Sequence, residues 1–170
     1  MTLSLTIVDA RFHMFKDEDF WMLAEIESHP DVMRWNIEPH KGDKAEMYRA
    51  FKEAVEKLQV EKDKIFLVGK YNGKVIGFVG VRSKNEGLKH VGEVGISVHP
   101  NHWGKGFGTS LLKAAVEKAK AEGFTKLELE TIASNNAMLR IAQKVGFKVK
   151  NVGKGDALDV IFMELTLSNH

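Results

Sequence analysis

Residues 97–109 of the chain read Ser97-Val-His-Pro-Asn-His-Trp-Gly-Lys-Gly-Phe-Gly-Thr109. A β-like run ends at Pro100, glycines then alternate at positions 104, 106 and 108, and a helical pattern begins at once. Alternating glycines lack the Cβ atoms that would keep an anion away from the backbone. The helix that follows offers its free N–H groups and the positive end of its dipole to such an anion. This stretch therefore predicts a cradle for a diphosphate group.

Two well-known phosphate-binding patterns do not match these glycines. A Walker-type loop requires Gly, four further residues and then Gly-Lys-Ser/Thr. In this chain His99 occupies the position of the required first glycine. A dinucleotide fingerprint requires Gly-x-Gly-x-x-Gly directly after a strand and an acidic residue about 20 positions further on. Glu128 meets the last condition, but the third glycine comes one residue early and Pro100 to Trp103 separate the glycines from the strand. Dinucleotide binding, as in a nucleotide-dependent oxidoreductase, stays as a distant alternative, beside the simpler interpretation that the glycines only end a strand.

Length and composition indicate an ordinary globular domain. The 170 residues suffice for one domain with a real core, which we assign to residues 1–170. Hydrophobic residues make up 44% and charged residues 28% of the chain, which is usual for a soluble protein. The net charge of +2 is too small to indicate binding to nucleic acid or to an anionic membrane surface. The absence of cysteine excludes disulfides, Cys-ligated zinc and thiol catalysis.

The first residues do not have the pattern of a targeting segment. They lack a basic start and reach Asp9 too early for a signal peptide. No apolar run approaches the roughly 20 residues that a membrane span requires. We therefore expect a cytoplasmic protein without a membrane or nucleic-acid partner.

Hydrophobic periodicity predicts an α+β fold in the order β-α-α-β-β-β-α-β-α-β-β. The clearest local feature is a hairpin whose strands are joined through Asn72-Gly73, the favoured two-residue turn. The predicted strands are 3–7, 65–68, 75–79, 91–98, 126–130, 147–150 and 160–165, and the predicted helices are 17–28, 43–61, 109–122 and one from Ser134 or Asn135 to 145, with a short turn at 31–35. Such an order gives a mixed sheet with helices on its faces.

Four stretches of the chain resemble the GNAT N-acetyltransferases. Residues 99–109 resemble the acyl-CoA loop of that family, whose core is Gln/Arg-x-x-Gly-x-Gly/Ala, and residues 135–147 resemble its later helix and Gly-Phe turn. Residues 159–165 resemble its last strand. Residues 29–35, His29-Pro-Asp-Val-Met-Arg-Trp35, resemble the substrate-side turn of the branch that acetylates the N-termini of ribosomal proteins. The likeness extends over nearly the whole chain.

This resemblance implies a fold and an activity. The fold would be a single domain with a mixed, mostly antiparallel sheet of about seven strands flanked by helices. The activity would be transfer of the acetyl group of acetyl-CoA to a primary amine, by direct attack in a ternary complex and without a metal. The acceptor stays open between a protein or peptide N-terminus, a polyamine and another small amine, and so does the quaternary state, a homodimer included. The alternative function is a catalytically silent module that senses acetyl-CoA.

The resemblance also implies which residues contact the co-substrate. Backbone N–H groups of the glycine loop would hold the pyrophosphate, the strand before it would pair with the pantetheine arm, and Asn135 would meet the same arm. The predicted cofactor-binding residues are Ile96, Ser97, Val98, Trp103, Gly104, Lys105, Gly106, Phe107, Gly108, Thr109 and Asn135. The edge of that strand could also donate an N–H to the oxyanion of acyl transfer.

Two side chains are candidates for proton transfer. Glu93 lies inside an apolar strand, where partial burial would raise its pKa toward a value useful for a general base. Glycines 92 and 95 beside it would leave room for a substrate. Ser134 is a hydroxyl that could protonate the leaving thiolate, although its position favours helix capping over that role. Glu93 has a purely structural alternative too.

The chain departs from the family pattern twice. Trp103 stands where Gln or Arg is usual, at a position whose contact is mainly through the backbone. Ala142 stands where many members carry a tyrosine thought to protonate the thiolate. His99 and His102 have a metal-like spacing, but they flank a turn without a third ligand nearby, so we expect no metal there.

Overall fold

The computed structural model of the chain describes residues 4–85, 88–154 and 158–167. In that part of the chain, helices and strands follow one another largely as the hydrophobic pattern predicts. The elements are β1 (Leu5–Asp9), α1 (Asp17–Ser28), α2 (Pro30–Met33), α3 (Lys44–Lys57), β2 (Lys64–Tyr71), β3 (Lys74–Asn85), β4 (Leu88–Val98), a 3-10 turn (Pro100–His102), α4 (Phe107–Ala121), β5 (Lys126–Ile132), α5 (Asn136–Val145), β6 (Lys148–Lys154) and β7 (Asp159–Thr166). None of the helices within the described ranges combines the length and apolarity that a bilayer crossing needs.

The strands form one mixed sheet. Their order is β1-β2-β3-β4-β5-β7-β6, and every neighbouring pair is antiparallel except β4 and β5, which are parallel. This arrangement confirms the expected mostly antiparallel sheet of about seven strands. The hairpin between β2 and β3 turns through Asn72 and Gly73, whose φ values of 53° and 77° are both positive. Positive φ at both central residues is what a tight hairpin turn of this kind requires, and Asn-Gly supplies it at low cost.

Helices cover the sheet on two faces. Helices α4 and α5 pack on one face over a core that includes Leu111, Leu127 and Met163. Helices α1 and α3 pack on the other face over a second cluster that includes Leu23 and Val68. The edge strand β6 is exposed along almost its whole length. The first cluster reaches the centre of the sheet through Leu127 on β5 and Val94 on β4, whereas the second cluster lies against β1, β2 and β3.

The contact between β4 and β5 is short. Their parallel register covers only three pairs, from Val91 opposite Lys126 to Glu93 opposite Glu128. Beyond Glu93 the strand β4 stays paired with β3 on its other side, up to Val98 opposite Gly77. The two central strands therefore diverge toward their C-terminal ends and leave a wedge-shaped opening in the sheet.

Element boundaries differ from the predicted ones, most of all for α3, which ends at Lys57 instead of residue 61, and for β3, which extends to Asn85 instead of residue 79. Pro30 occupies the first turn of α2, a position where its missing N–H costs nothing. Helix α4 begins at Phe107, two residues earlier than predicted, because Gly106 adopts the left-handed conformation that ends the loop. Asn135, not Ser134, caps α5, with its side-chain oxygen 3.2 Å from the N–H nitrogen of Met138. Residue 3, which was assigned to the first strand, lies outside the described residues.

Candidate functional site

A cleft of about 1580 Å³ opens where β4 and β5 diverge. Pockets for drug-sized ligands usually measure about 300–1,000 Å³, so this cleft has room for two substrates. On one face of the sheet it is bounded by the glycine turn, α4 and α5. On the other face it is bounded by residues of α1, α2 and α3. The opening thus connects both faces of the sheet through the gap between the central strands.

The three glycines of the turn serve two different purposes. Gly104 and Gly106 have φ values of 76° and 80°, and a Cβ on either would meet nothing within 4 Å. They are needed for a backbone conformation that other residues rarely adopt, and they leave open space above the loop. A Cβ on Gly108 would lie 3.0 Å from Cδ1 of Ile141, so this glycine lets α5 approach α4. The sequence pattern alone assigns all three glycines to the anion cradle.

The first turn of α4 is open to an anion. Gly106 precedes it and offers no side-chain cap, so helix α4 begins with uncapped N–H groups. Lys105 and Thr109 lie on either side of this helix start, and Lys105 is exposed. Uncapped N–H groups and the positive end of the helix dipole together form an anion-binding site. The backbone here has the features that an anion cradle requires, and binding of a diphosphate to it stays a prediction.

Trp103 ties this loop to the end of β4. Its indole Nε1 donates a hydrogen bond to the carbonyl oxygen of Val98, at a distance of 2.7 Å. The intervening 3-10 turn is held by Nδ1 of His99, which accepts from the N–H of Asn101 at 3.2 Å. Sequence reasoning expected only a backbone contact at position 103, because an indole donor is not part of the usual loop pattern. The bond fixes where the glycine turn sits relative to the strand.

The far end of β4 presents a strand edge to the cleft. Ile96, Ser97 and Val98 pair with β3 on one side, and all three line the cleft. Their other edge faces the gap that β5 leaves after Glu93. Backbone donors and acceptors that lack a neighbouring strand require other partners. An extended ligand with amide groups would complete the pairing here, as a peptide does when it adds to a sheet edge.

Glu93 lies at the start of the divergence and is less buried than the sequence suggests. Its carboxylate is 42% exposed, and Oε2 lies 3.4 Å from Nη2 of Arg82 on the neighbouring strand. Gly95 beside it opens onto the cleft, since a Cβ there would meet nothing within 4 Å. Gly92 does not make room for a substrate as expected: a Cβ there would lie 2.6 Å from Cγ1 of Val81, inside the core. The two glycines point to opposite faces because side chains alternate along a strand.

Glu128 is the neighbour of Glu93 across the parallel ladder. Two lysines neutralise it: Nζ of Lys84 lies 2.7 Å from Oε1, and Nζ of Lys150 lies 3.1 Å from Oε2. The hydrogen bond from Lys84 lowers the pKa of the Glu128 carboxyl, and Lys150 acts in the same direction. Glu93 is thus flanked by a carboxylate whose charge is already balanced.

Asn135, Ser134, Ala142 and the α3 residue Tyr48 lie in four different surroundings. Asn135 lines the cleft at the start of α5. Ser134 is exposed and is not among the residues that line the cleft. Ala142 is fully buried in the core between α5 and the sheet. Tyr48 donates to Asp17 and stacks on Trp21, with ring centroids 4.2 Å apart.

Histidines cluster beside the 3-10 turn. The rings of His29 and His99 lie 5.3 Å apart, and those of His99 and His102 lie 6.4 Å apart. Burial lowers the pKa of the His99 imidazole, and the nearby His29 ring acts in the same direction. Burial likewise lowers the pKa of His102, helped by the charge of Lys105. Within the described ranges, no three or more His, Asp or Glu side chains are grouped so as to hold a metal ion.

The second half of the cleft was not identified from the sequence. Glu27, Val32, Trp35, Phe51 and Phe78 line it on the face covered by α1, α2 and α3. The spacing of Glu27 along α1 could have pointed to it, since it is on the stripe that faces the sheet. The aromatic side chains are partly buried, so their apolar pattern does not separate cleft lining from core.

Comparison with known proteins gives a family for this arrangement. The family model described as "Acetyltransferase (GNAT) family" matches residues 14–147. The L-amino acid N-acyltransferase MnaT of Escherichia coli is 35% identical over 109 residues, which span 59% of this chain and 63% of that protein. The chain therefore matches less than two thirds of the length of this relative.

Two solved structures extend the likeness to the whole fold. A putative acetyltransferase, yncA, from Salmonella typhimurium, solved with acetyl-CoA, has a TM-score of 0.77 and 24% identity and covers 100% of this chain and 96% of that one. The ribosomal-protein-S5-alanine acetyltransferase from Vibrio fischeri has a TM-score of 0.77 and 17% identity and covers 95% of this chain and 92% of that one. At these identities the structural likeness shows the fold alone.

Proposed function

The chain belongs to the GNAT acetyltransferase family, and from this premise we propose that it transfers the acetyl group of acetyl-CoA to a primary amine by direct attack in a ternary complex. The observation that carries the proposal is the wedge between β4 and β5 that ends at an uncapped helix start. The proposal treats residues 1–170 as a single catalytic domain that works in the cytoplasm.

The loop and α4 fit a pyrophosphate. Gly104 and Gly106 keep side chains away from the open space above the loop. The N–H groups from Gly104 to Thr109 would hold the pyrophosphate oxygens, assisted by the helix dipole. Lys105 is exposed beside them and would add a positive charge. Trp103 would act indirectly, by holding the loop against Val98.

The free edge of β4 fits the pantetheine arm. The amide groups of the pantetheine arm alternate donors and acceptors as a strand does. The backbone of Ile96, Ser97 and Val98 would therefore pair with the arm in place of β5. Asn135, at the cleft wall of α5, would contact the arm from the opposite side. Acetyl-CoA supplies an activated thioester carbonyl. An N–H of the β4 edge would stabilise the negative charge that develops on the carbonyl oxygen.

Glu93 is our proposed general base. An amine must lose a proton before it attacks, since a lysine-type ammonium has a pKa near 10.4. Glu93 lines the cleft at the point where the strands diverge, next to the open space at Gly95. Its carboxylate would accept the proton from the amine, and its pairing with Arg82 keeps it oriented. As the C–N bond forms, the C–S bond breaks and the thiolate leaves, while the nitrogen gives up its second proton to water.

The proton for the thiolate has two sources within this proposal. Ser134 lies one residue before the cap of α5 and stays a candidate, although its hydroxyl is exposed and outside the cleft lining. A free thiol has a pKa near 8.5, so the thiolate can also take its proton from water. Ala142 has no part in this step.

An acceptor screen tests the function. We would follow acetyl-CoA consumption with L-amino acids, spermidine, short peptides with a free N-terminus and simple alkyl amines. The relative named as an L-amino acid N-acyltransferase makes amino acids the first group to try. Turnover with any of these amines supports the proposal. Binding of CoA without turnover of any amine would favour the alternative, a catalytically silent acetyl-CoA sensor.

A further inference from the structure

A carboxylate occupies the inward stripe of α1. Phe20, Leu23 and Ala24 are buried against the sheet, with 8%, 0% and 0% of their surface exposed. Residues at i, i+3, i+4 and i+7 share one face of a helix, so Glu27 is the next member of this stripe. Burial would favour an apolar side chain at that position. Glu27 stands there instead and lines the cleft.

The Glu27 carboxylate has no counter-charge in direct contact. It is half-buried, and within residues 4–85, 88–154 and 158–167 no donor lies within hydrogen-bond or ion-pair distance of it. Burial raises the pKa of the Glu27 carboxyl, and His40 opposes this only through its more distant charge. A desolvated charge without a partner is costly to a folded protein. A ligand that brings a positive charge would offset that cost.

Other carboxylates of the cleft are in a different state. Glu93 and Glu128 are balanced by Arg82 and by two lysines respectively. Glu38 and Glu53 are exposed to water. Glu61, which also lines the cleft, pairs with Lys64, and Glu130 is exposed to water. Glu27 alone among these seven is both half-buried and without an ion-pair partner in the described structure.

The walls around this part of the cleft are aromatic. Phe51 and Phe78 meet edge to face with ring centroids 5.3 Å apart, and Phe66 and Phe78 do so at 5.7 Å. All three rings are half-buried and line the cleft, together with Val32. Rings packed in this way present a fixed apolar surface. Burial of an apolar ligand group against this surface would be favourable.

We propose that Glu27 binds the ammonium group of the acceptor, and that the acceptor is an amine with one ammonium group on an apolar body that packs against Phe51, Phe66 and Phe78. This inference rests on the proposed acetyl transfer and names its substrate class. Glu27 selects and holds the amine, whereas Glu93 accepts its proton. The two residues therefore affect different kinetic constants.

Glu27→Gln tests the charge while keeping the shape. With 2-phenylethylamine as the probe, we expect the KM for the amine to rise at least tenfold, with a smaller change in kcat and unchanged CoA affinity. The melting temperature should equal or exceed that of the wild type, because the amide removes a desolvated charge. Glu25→Gln is the matched control: Glu25 is on the same helix, outside the cleft, and pairs with Lys44 at 2.6 Å. A KM for Glu27→Gln within twofold of the wild type would overturn the assignment.

A second comparison tests the apolar body. Ethanolamine carries the same single ammonium group as 2-phenylethylamine without the ring, so we expect its kcat/KM to be at least tenfold lower. Equal kcat/KM values, or a preference for spermidine over 2-phenylethylamine, would overturn the substrate class.

Direct binding separates this inference from the proposed function. Calorimetric titration of 2-phenylethylamine into the CoA-saturated protein needs no turnover, and we expect binding by the wild type that weakens at least tenfold in Glu27→Gln. Such binding, with acetylation neither of 2-phenylethylamine nor of any amine in the acceptor screen, would refute the proposed acetyl transfer and leave the Glu27 site standing. Acetylation of 2-phenylethylamine with equal binding by both proteins would refute the Glu27 site and leave the activity standing. Glu27→Met serves as a second variant that also removes the charge and should lose binding in the same way.

Discussion

Gly106 and Gly73 adopt nearly the same backbone conformation in two unrelated places, with φ values of 80° and 77°. Neither would bring a Cβ within 4 Å of another atom. Replacing either one by valine therefore imposes a similar backbone strain, while only Gly106 borders the proposed pyrophosphate site. We expect Gly106→Val to weaken CoA binding at least tenfold, about 1.4 kcal/mol, as measured by calorimetry. Gly73→Val should lose comparable stability with unchanged CoA affinity, and equal affinities for both variants would contradict the loop assignment.

Ala142 is fully buried between α5 and the sheet, so Ala142→Tyr tests the packing at this position. A phenol there would overpack the core instead of reaching the cleft, so we expect a loss of about 1–3 kcal/mol in the free energy of unfolding. No gain in kcat should follow. Ala121→Tyr, at the exposed end of α4, should change stability little. A stable Ala142→Tyr with raised kcat would show that the thiolate lacks a proton donor after all.

Glu93 is the residue whose substitution should affect the chemical step. Glu93→Gln keeps the side-chain shape and removes the base, and general base catalysis is typically worth about 10²–10⁴-fold in rate. We expect kcat to fall in that range with unchanged CoA affinity, measured with the best amine of the acceptor screen. Glu117→Gln, exposed on α4, is the control. A kcat within twofold of the wild type would assign Glu93 a structural role beside Arg82.

At the scale of elements, the indole of Trp103 joins the glycine loop to β4. Trp103→Phe keeps an aromatic ring and removes the donor to Val98, and a hydrogen bond contributes about 0.5–1.5 kcal/mol. We expect CoA affinity to fall about two- to tenfold, since the loop is held less firmly. Trp21→Phe removes an indole that stacks on Tyr48 and should leave the affinity unchanged. An unaffected Trp103→Phe would mean that the backbone alone positions the loop.

Most elements could be predicted from sequence because they follow local rules. Asn72-Gly73 specifies its turn, and Gly146 ends α5 with a φ of 118°. The divergence of β4 and β5 could not be predicted, because it depends on which rungs of a parallel ladder form between distant segments. The bond from Trp103 to Val98 and the burial of Ala142 are likewise results of packing. The inward position of Glu27 on α1 can be read from the sequence, but it indicates a ligand site only once the cleft beside it is known.

For the whole molecule, the ion pairs of Glu128 link stability to pH. Lys84 and Lys150 lower the pKa of this carboxyl in the folded protein below its ordinary value of 4.5. Between the folded-state pKa and the ordinary pKa, the unfolded chain binds more protons than the folded protein. The stabilisation is therefore complete above pH 4.5 and is lost as the pH falls through the folded-state pKa of Glu128. We expect urea unfolding to show that Glu128→Gln is less stable than the wild type at neutral pH and that the gap narrows in acid. Glu56→Gln, exposed on α3, should show no such narrowing, and a constant gap would mean that packing, not charge, accounts for Glu128.

The three residue pairs between β4 and β5 join two larger plates, one of strands β1 to β4 and one of β5, β7 and β6. Three residue pairs provide few backbone hydrogen bonds across the seam between the two plates. The plates are therefore held together mainly by the helices that pack on them. A strand-like co-substrate in the gap would act as a splint across the seam and stabilise only the joined form. The occupied protein should then unfold as one unit, whereas the empty protein should exchange its amide hydrogens at separate rates in the two plates.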